Sequence, residues 1–365
     1  MLNNLLSMLN DNKVIERVER YYDISFCTEN EYEELIDFIH NNWSSSHIFL
    51  KSKTLLDWQH LDENNSRYNF VIARNKETKE IDSILGFLLT KHYDKNIEVN
   101  DLWPCIWKTK DNIRSCGLGV GVALYKFLDN QITLRSILVL GISELAQRMY
   151  KKWGFKTGKL NQYYMINSMY NKFKVIGNFD GKYNTGIYEE NENIIIECNL
   201  DNFKNISDTF FDSYTYLPKK TKEYYINRFY LHPIYNYKIY MMYCKNDFKG
   251  FFVARKINVE GNNVLRIVDF FCDFNIVGNI VKPLNEILIK ENCEYIDCMN
   301  YGIKENIFYE MGFIKKEEFG EIIISNYFEP FLQQNVSLDF AYITNTDMEP
   351  IFFKADADQD RPNIL

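Results

Sequence analysis

Residues 102–108 are a short, mainly apolar run of strand length, and residues 120–130 change to the three- and four-residue apolar spacing of a helix. A second apolar run, Ser136-Ile137-Leu138-Val139-Leu140, is followed by a helical stretch over 144–153 in which Ala146, Tyr150 and Gly154 recur at four-residue intervals on one face, closed by Gly154-Phe155. Upstream, 21–26 reads as a strand, 29–42 as a helix, and 68–74 and 83–92 as strands of an antiparallel meander. After a polar, Asn-rich stretch over 167–193 the order repeats. A strand at 194–200, a helical region through 229, strands at 238–243, 250–257 and 264–272, a helix at 279–290 and a strand at 295–299 lead to Phe308-Tyr309-Glu310-Met311-Gly312-Phe313, which parallels Tyr150-Lys151-Lys152-Trp153-Gly154-Phe155. The pattern predicts two tandem copies of one unit.

Between the strand at 102–108 and the helix at 120–130 lies Arg114-Ser115-Cys116-Gly117-Leu118-Gly119-Val120-Gly121. Glycines accept positive φ and carry no Cβ, so successive backbone N–H groups can converge on an anion where a helix offers its unpaired donors and positive dipole end. The spacing excludes two common phosphate loops. No Lys-Ser or Lys-Thr follows, as G-x-x-x-x-G-K-[ST] requires, and Val122 stands where G-x-G-x-x-G requires glycine. The pattern that fits is R-x-x-G-x-G, from Arg114 to Gly119.

Composition changes this picture little. The 365 residues suggest about two domains, and 46% hydrophobic residues with 7 prolines allow a core in each. A net charge of −8 without a basic tract argues against nucleic-acid binding. No apolar run reaches the length needed to span a bilayer, and 1–10 is too short and polar for a signal peptide, so the chain is expected to be cytoplasmic. Eight scattered cysteines without C-x-x-C read as buried thiols, and no metal site is expected. Cys116 stands apart by lying in the glycine loop.

The order strand, R-x-x-G-x-G, helix, strand, A-x-x-x-Y-x-x-x-G-F resembles the GNAT superfamily of acyl-CoA-dependent N-acyltransferases, over about 21–167. The resemblance implies an α/β fold with mixed sheets: two tandem GNAT-like domains, each a mostly antiparallel central sheet flanked by helices. The corresponding division is 1–170 for a domain binding acyl-CoA, 171–193 for a linker, 194–345 for a degenerate second domain and 346–365 for a tail. It further implies coenzyme A as cosubstrate. The backbone of Arg114, Ser115, Cys116, Gly117, Leu118, Gly119, Val120 and Gly121 would hold the pyrophosphate. A splayed strand around Ile106, Trp107 and Lys108 would hold the pantetheine and the acyl carbonyl, and Tyr150 would be the general acid. The competing reading of Tyr150 is a core aromatic. Asp101 and His47 are the candidate bases, each weighed against an ordinary role as a turn or surface-loop residue.

The second copy has one glycine in its corresponding turn (275–279) and Phe308 where the first has Tyr150. It is expected to have lost cofactor binding and to serve as an acceptor-binding or structural half. An active half, a degenerate half and an Asp-rich terminus resemble, more loosely, the bacterial transferases that move 3-hydroxybutanoyl from CoA to a nucleotide-linked aminodeoxy sugar for O-antigen. In that reading Arg228, His232 and Arg255 would bind the acceptor. A protein amine, an aminoglycoside-like acceptor and a non-catalytic CoA-binding scaffold are the alternatives. The acyl length, the sugar and the oligomeric state stay open.

Overall fold

The computed structural model describes residues 6, 12–179, 192–274, 278–316 and 321–363. The chain divides into two compact units, Met1–Gly158 with Asp339–Met348 and Pro362–Leu365, and Lys159–Leu338 with Glu349–Arg361. The division therefore falls at Gly158 rather than at 170, and the expected tail is shared between the units. Most of the expected linker, and residues 275–277 of the second turn, lie outside the described residues.

The first unit runs through α1 (Asn12–Glu19), β1 (Tyr22–Thr28), α2 (Tyr32–Asn42), α3 (Lys53–His60), β2 (Leu61–Asp62), β3 (Arg67–Asn75), β4 (Ile81–Leu89) and β5 (Asp101–Thr109). It continues with α4 (Asp111–Ser115), α5 (Val120–Gln131), β6 (Ser136–Leu140), α6 (Glu144–Lys152) and β7 (Lys156–Lys159). A strand from far along the chain, β17 (Asp339–Thr344), enters this sheet between β6 and β7, giving the order β1-β3-β4-β5-β6-β17-β7 with β2 on β3. All nine residues of β4 are buried, and from Ile84 to Leu89 it accordingly reads as a continuous run without polar side chains rather than an alternation. β17 lies antiparallel to β6, from Phe340 opposite Leu140 to Thr344 opposite Ser136.

The pairing of β5 decides where a cleft can form. It is antiparallel to β4 and carries one extra residue, because Leu85 faces Trp107 while Phe87 faces Pro104. Such a bulge bends its strand. On its other edge β5 pairs with β6, in parallel, at Asp101–Ser136 and Leu102–Ile137. Beyond Leu102 the ladder to β6 stops and the two strands part.

The second unit contains β8 (Asn161–Ile166), β9 (Asn193–Cys198), α7 (Leu200–Lys204), α8 (Asp208–Asp212) and α9 (Lys222–Tyr225), the last running into a wide turn over Ile226–Tyr230. There follow β10 (Tyr237–Cys244), β11 (Asp247–Val259), β12 (Asn262–Cys272), α10 (Val281–Glu291), β13 (Cys293–Tyr301), α11 (Glu305–Glu310), β14 (Ile314–Lys315), the pair β15 (Tyr327–Phe328) and β16 (Phe331–Leu332), and β18 (Phe352–Phe353). The sheet order is β14-β8-β13-β12-β11-β10-β9, with β18 on β13. β8, expected in the first domain, thus belongs to the second sheet, antiparallel to β13. No helix among the described residues is long and apolar enough to cross a membrane.

Candidate active site

The R-x-x-G-x-G segment joins β5 to α5 as expected, but it is not loop throughout. Residues 111–115 form the short helix α4, with Arg114 in its last turn and Ser115 at its end. Its carbonyls take two of the expected cradle donors, since the N–H groups of Cys116 and Gly117 bond to Ile113 and Arg114 at 3.2 Å each. The chain then turns through Gly117 (φ +65°) and Gly119 (φ +80°), the left-handed region that glycine enters without penalty. Gly119 is the N-cap of α5 and has no side chain to offer it. Among the described residues no internal hydrogen bond claims the N–H groups of Leu118, Gly119, Val120 or Gly121. Four consecutive donors therefore stand open at a helix N-terminus.

Gly119, Val120 and Gly121 border a cavity of about 330 Å³, whereas the expected Leu118 does not line it and packs on the core of the first unit. Trp107, Lys108, Arg114, Gly117, Gly119, Val120 and Gly121 line the cavity, as the sequence leads one to expect. Ile106 does not, being buried in the core, and Cys116 turns aside, its thiol donating to the Asn112 carbonyl at 3.2 Å. The opposite wall is apolar and was not foreseen. Leu145, Ala146 and Met149 present one face of α6, whose N-terminus is capped by the Ser143 hydroxyl accepting from the Ala146 N–H. Met149 follows Ala146 by three residues and Leu145 by four, and that spacing was the available signal. Trp107 fixes the cleft on the β5 side by donating from Nε1 to the Gly121 carbonyl at 3.2 Å. A Cβ at Gly121 would sit 2.9 Å from that nitrogen, so the third glycine serves the tryptophan.

Tyr150 lies in the core and not on the cavity wall. Its ring packs with Trp107, Trp153 and Phe155, and its hydroxyl bonds to that of Tyr125. Burial raises both phenols above their ordinary pKa, so both are neutral. The pair is nevertheless near the bulge of β5, because Tyr125 is within electrostatic reach of Cys105. The Gly-Phe ending has its own structural cause. Gly154 (φ +82°) donates to Lys151 and Phe155 to Tyr150, a Schellman closure whose characteristic apolar contact is the Tyr150–Phe155 pair at 4.9 Å between ring centres. Gly312 and Phe313 close α11 identically, donating to Tyr309 and Phe308.

Neither expected base is placed for catalysis. Asp101 is fully buried at the paired end of β5, where Arg135 Nε (2.9 Å) and Ser136 Oγ (2.7 Å) donate to it. It lies six residues, about 20 Å of strand, from Trp107. It is a staple joining the starts of β5 and β6. His47 is buried rather than in a surface loop. Its Nδ1 accepts from the Phe49 N–H at 3.3 Å and caps the turn Ile48–Leu50, with the ring edge-on to Phe49.

The three expected acceptor residues do meet, but around the protein's own C-terminal segment. Arg255 forks onto Asp360 at 2.9 and 3.1 Å with Tyr235 beneath it. Arg228 donates to the Ala355 carbonyl at 3.2 Å. Burial, then repulsion from Arg228, pushes His232 down to about 3, so the imidazole is neutral and its Nδ1 accepts from the N–H groups of Ile234 and Tyr235. A diphosphate would have to displace Asp360 to reach these groups.

No family model matches this sequence, and no curated protein does. Solved structures do. A GCN5-related N-acetyltransferase from Anabaena variabilis aligns over 88% of this chain and 72% of its own, at 11% identity and a TM-score of 0.51. A conserved protein of unknown function from Enterococcus faecalis aligns over 81% and 70%, at 11% identity and a TM-score of 0.52. At such identities the likeness concerns backbone architecture, and both alignments extend through the two units. The chain has the fold of the GCN5-related N-acetyltransferases.

Proposed function

We propose that this protein is an acyl-CoA-dependent N-acyltransferase whose first unit holds the cosubstrate. The observation that carries the reading is the row of open N–H groups from Leu118 to Gly121 at the start of α5, of which Gly119, Val120 and Gly121 line a cavity together with Arg114 and Lys108. Those donors fit a pyrophosphate by chemistry, and the two glycines leave room for its close approach. Acyl-CoA, when bound, supplies the thioester carbonyl that an acceptor amine attacks. The remaining roles belong to the chain. Past Leu102, where the β5–β6 ladder ends, β5 would run alongside an extended amide chain and donate to a carbonyl oxygen as it gains charge. The apolar face of α6 excludes water from that strand. The Tyr125–Tyr150 pair, neutral and next to the bulge, is the proposed source of the proton that the departing sulfur takes. The proton lost by the amine goes to solvent, since Asp101 and His47 are engaged elsewhere.

For the acceptor, a nucleotide-linked aminosugar is the first class to assay, on the resemblance alone; Arg228, His232 and Arg255 no longer speak for it. Peptide amines and aminoglycosides complete the panel. The test measures thiol release from acyl-CoAs of graded length against these amines, with calorimetry of coenzyme A on the intact chain. One site per chain and amine-dependent release are expected. No CoA binding, or binding without release for every amine, would overturn the reading.

A further inference from the structure

Behind the glycine turn stands a helix that the motif does not include. Arg17 of α1 donates through Nη2 to the carbonyls of Gly117 (3.2 Å) and Leu118 (3.1 Å). In the same helix Val14 lies against Gly119, where an added Cβ would come within 2.8 Å of its Cγ1. A trans peptide is planar, with its C=O and the following N–H pointing in opposite directions. Fixing the Gly117 carbonyl toward Arg17 therefore directs the Leu118 N–H away from α1, and fixing the Leu118 carbonyl does the same for the Gly119 N–H. These are the first two of the four open donors. The restraint matters because glycines with positive φ sit on either side of Leu118. Their peptide planes rotate easily, and a rotated plane would turn a carbonyl oxygen toward the bound anion.

We infer that Arg17 is a positioning residue for the anion cradle: it clamps the two carbonyls so that the Leu118 and Gly119 N–H groups face a pyrophosphate, and adds positive charge behind them. This rests on the reading of the cradle as the coenzyme A site. The helix does not depend on Arg17 to stay in place. Val18 is fully buried, and Val14 and Ile15 pack on the core of the first unit.

The test titrates coenzyme A, and separately pantetheine, into the full-length protein and its variants. Arg17→Ala should weaken coenzyme A about tenfold, the loss of roughly one charge-assisted hydrogen bond. Pantetheine, which lacks the pyrophosphate, should bind unchanged, and so should the melting temperature remain. Arg17→Lys, able to reach one carbonyl, should recover part of the loss. Unchanged coenzyme A affinity in Arg17→Ala, or an equal loss for pantetheine, overturns the clamp. Gly119→Val separates this from the underlying reading. If it abolishes coenzyme A binding while Arg17→Ala does not affect it, the clamp alone is wrong; if it too leaves binding intact, the cradle assignment falls and the clamp with it.

Discussion

The two units build the same gap between a bulged strand and its parallel neighbour, and fill it differently. In the first, the β5–β6 ladder ends at Leu102, and the far end of β5, Trp107 to Thr109, lines the cavity at the open N-terminus of α5. In the second, β12 and β13 pair in parallel through Ile267 and Cys298. There residues 352–355 bond to both strands, with Phe353 opposite Asn300 and the Ala355 N–H donating to the Val268 carbonyl at 3.0 Å. The helix N-termini differ in the same sense. α5 follows a glycine with nothing to cap it, whereas the Asn279 side chain accepts from the Val281 N–H at the start of α10. The first unit leaves its donors open, and the second satisfies one of them with a side chain.

The C-terminal segment is held in the second gap by buried charge. Lys220 bonds to Asp269 at 2.6 Å and Asp356 at 2.8 Å, and Arg255 to Asp360. Taking such ions out of water is costly, and the pairing offsets that cost. The lesson is that one copy of a repeated scaffold can fill from its own chain the gap that the other leaves. The Asp-rich terminus, which in sequence contributed only to the looser resemblance, is the segment that fills it.

The sharpest way to break the comparison is at Tyr150. Phe308, its counterpart, serves the same Schellman contact, with ring centres 5.8 Å from Phe313, so the ring alone explains the shared pattern. What distinguishes the first unit is the hydroxyl. Tyr150→Phe should leave the fold and coenzyme A affinity intact and lower kcat by about 10²–10⁴, the usual cost of a lost positioned acid. An unchanged kcat under conditions where chemistry limits turnover would make the two tyrosine–phenylalanine positions equivalent core residues.

Next in size is the strap itself. Asp360→Ala leaves the buried Arg255 without its fork partner and should cost the second unit about 3–5 kcal/mol in denaturant unfolding. Coenzyme A binding should be unaffected, as the cradle belongs to the other unit. A variant of unaltered stability would show that the ion pair does not hold the segment, and improved turnover of an aminosugar would return Arg255 to the acceptor site.

The smallest effect is a pH slope. Lys354 is buried, and burial first, then Arg266, lowers it from 10.5 to about 7. The Tyr327 ring faces it, and Asp360, Asp297 and Arg255 complete its charged surroundings. Above pH 7 the folded lysine is neutral while the unfolded one keeps its proton to about 10.4. The unfolded chain then binds more protons, so stability rises with pH across that window, by at most about 1.4 kcal/mol per unit. Below pH 7 both states are protonated and the penalty is fully present. The difference in slope between the protein and Lys354→Met, followed by unfolding from pH 7 to 9, measures it; identical slopes would place the lysine in a wetter setting than its burial indicates.

Periodicity and glycine placement alone determined the order of elements, the doubling, the position of the turn before α5, and the inequality of the copies. These are local properties, set by side-chain spacing and by which residues tolerate positive φ. Trp107, Lys108 and Arg114, singled out in the sequence, line the cavity because they flank the turn within one short segment. Tertiary structure alone decided the rest. It exchanged strands between the copies, with β17 entering the first sheet and β8 the second, which no local pattern reveals because a strand does not specify its neighbour. It withdrew Asp101 and His47, whose polar side chains read as candidates until Arg135, Ser136 and Phe49 were seen to claim them. Arg228, His232 and Arg255 were correctly grouped, yet what they hold is Asp360 and its segment, more than a hundred residues away. Arg17 went unread for the same reason: its partners are backbone carbonyls a hundred positions along, and a hydrogen bond of that span leaves no mark on residue spacing.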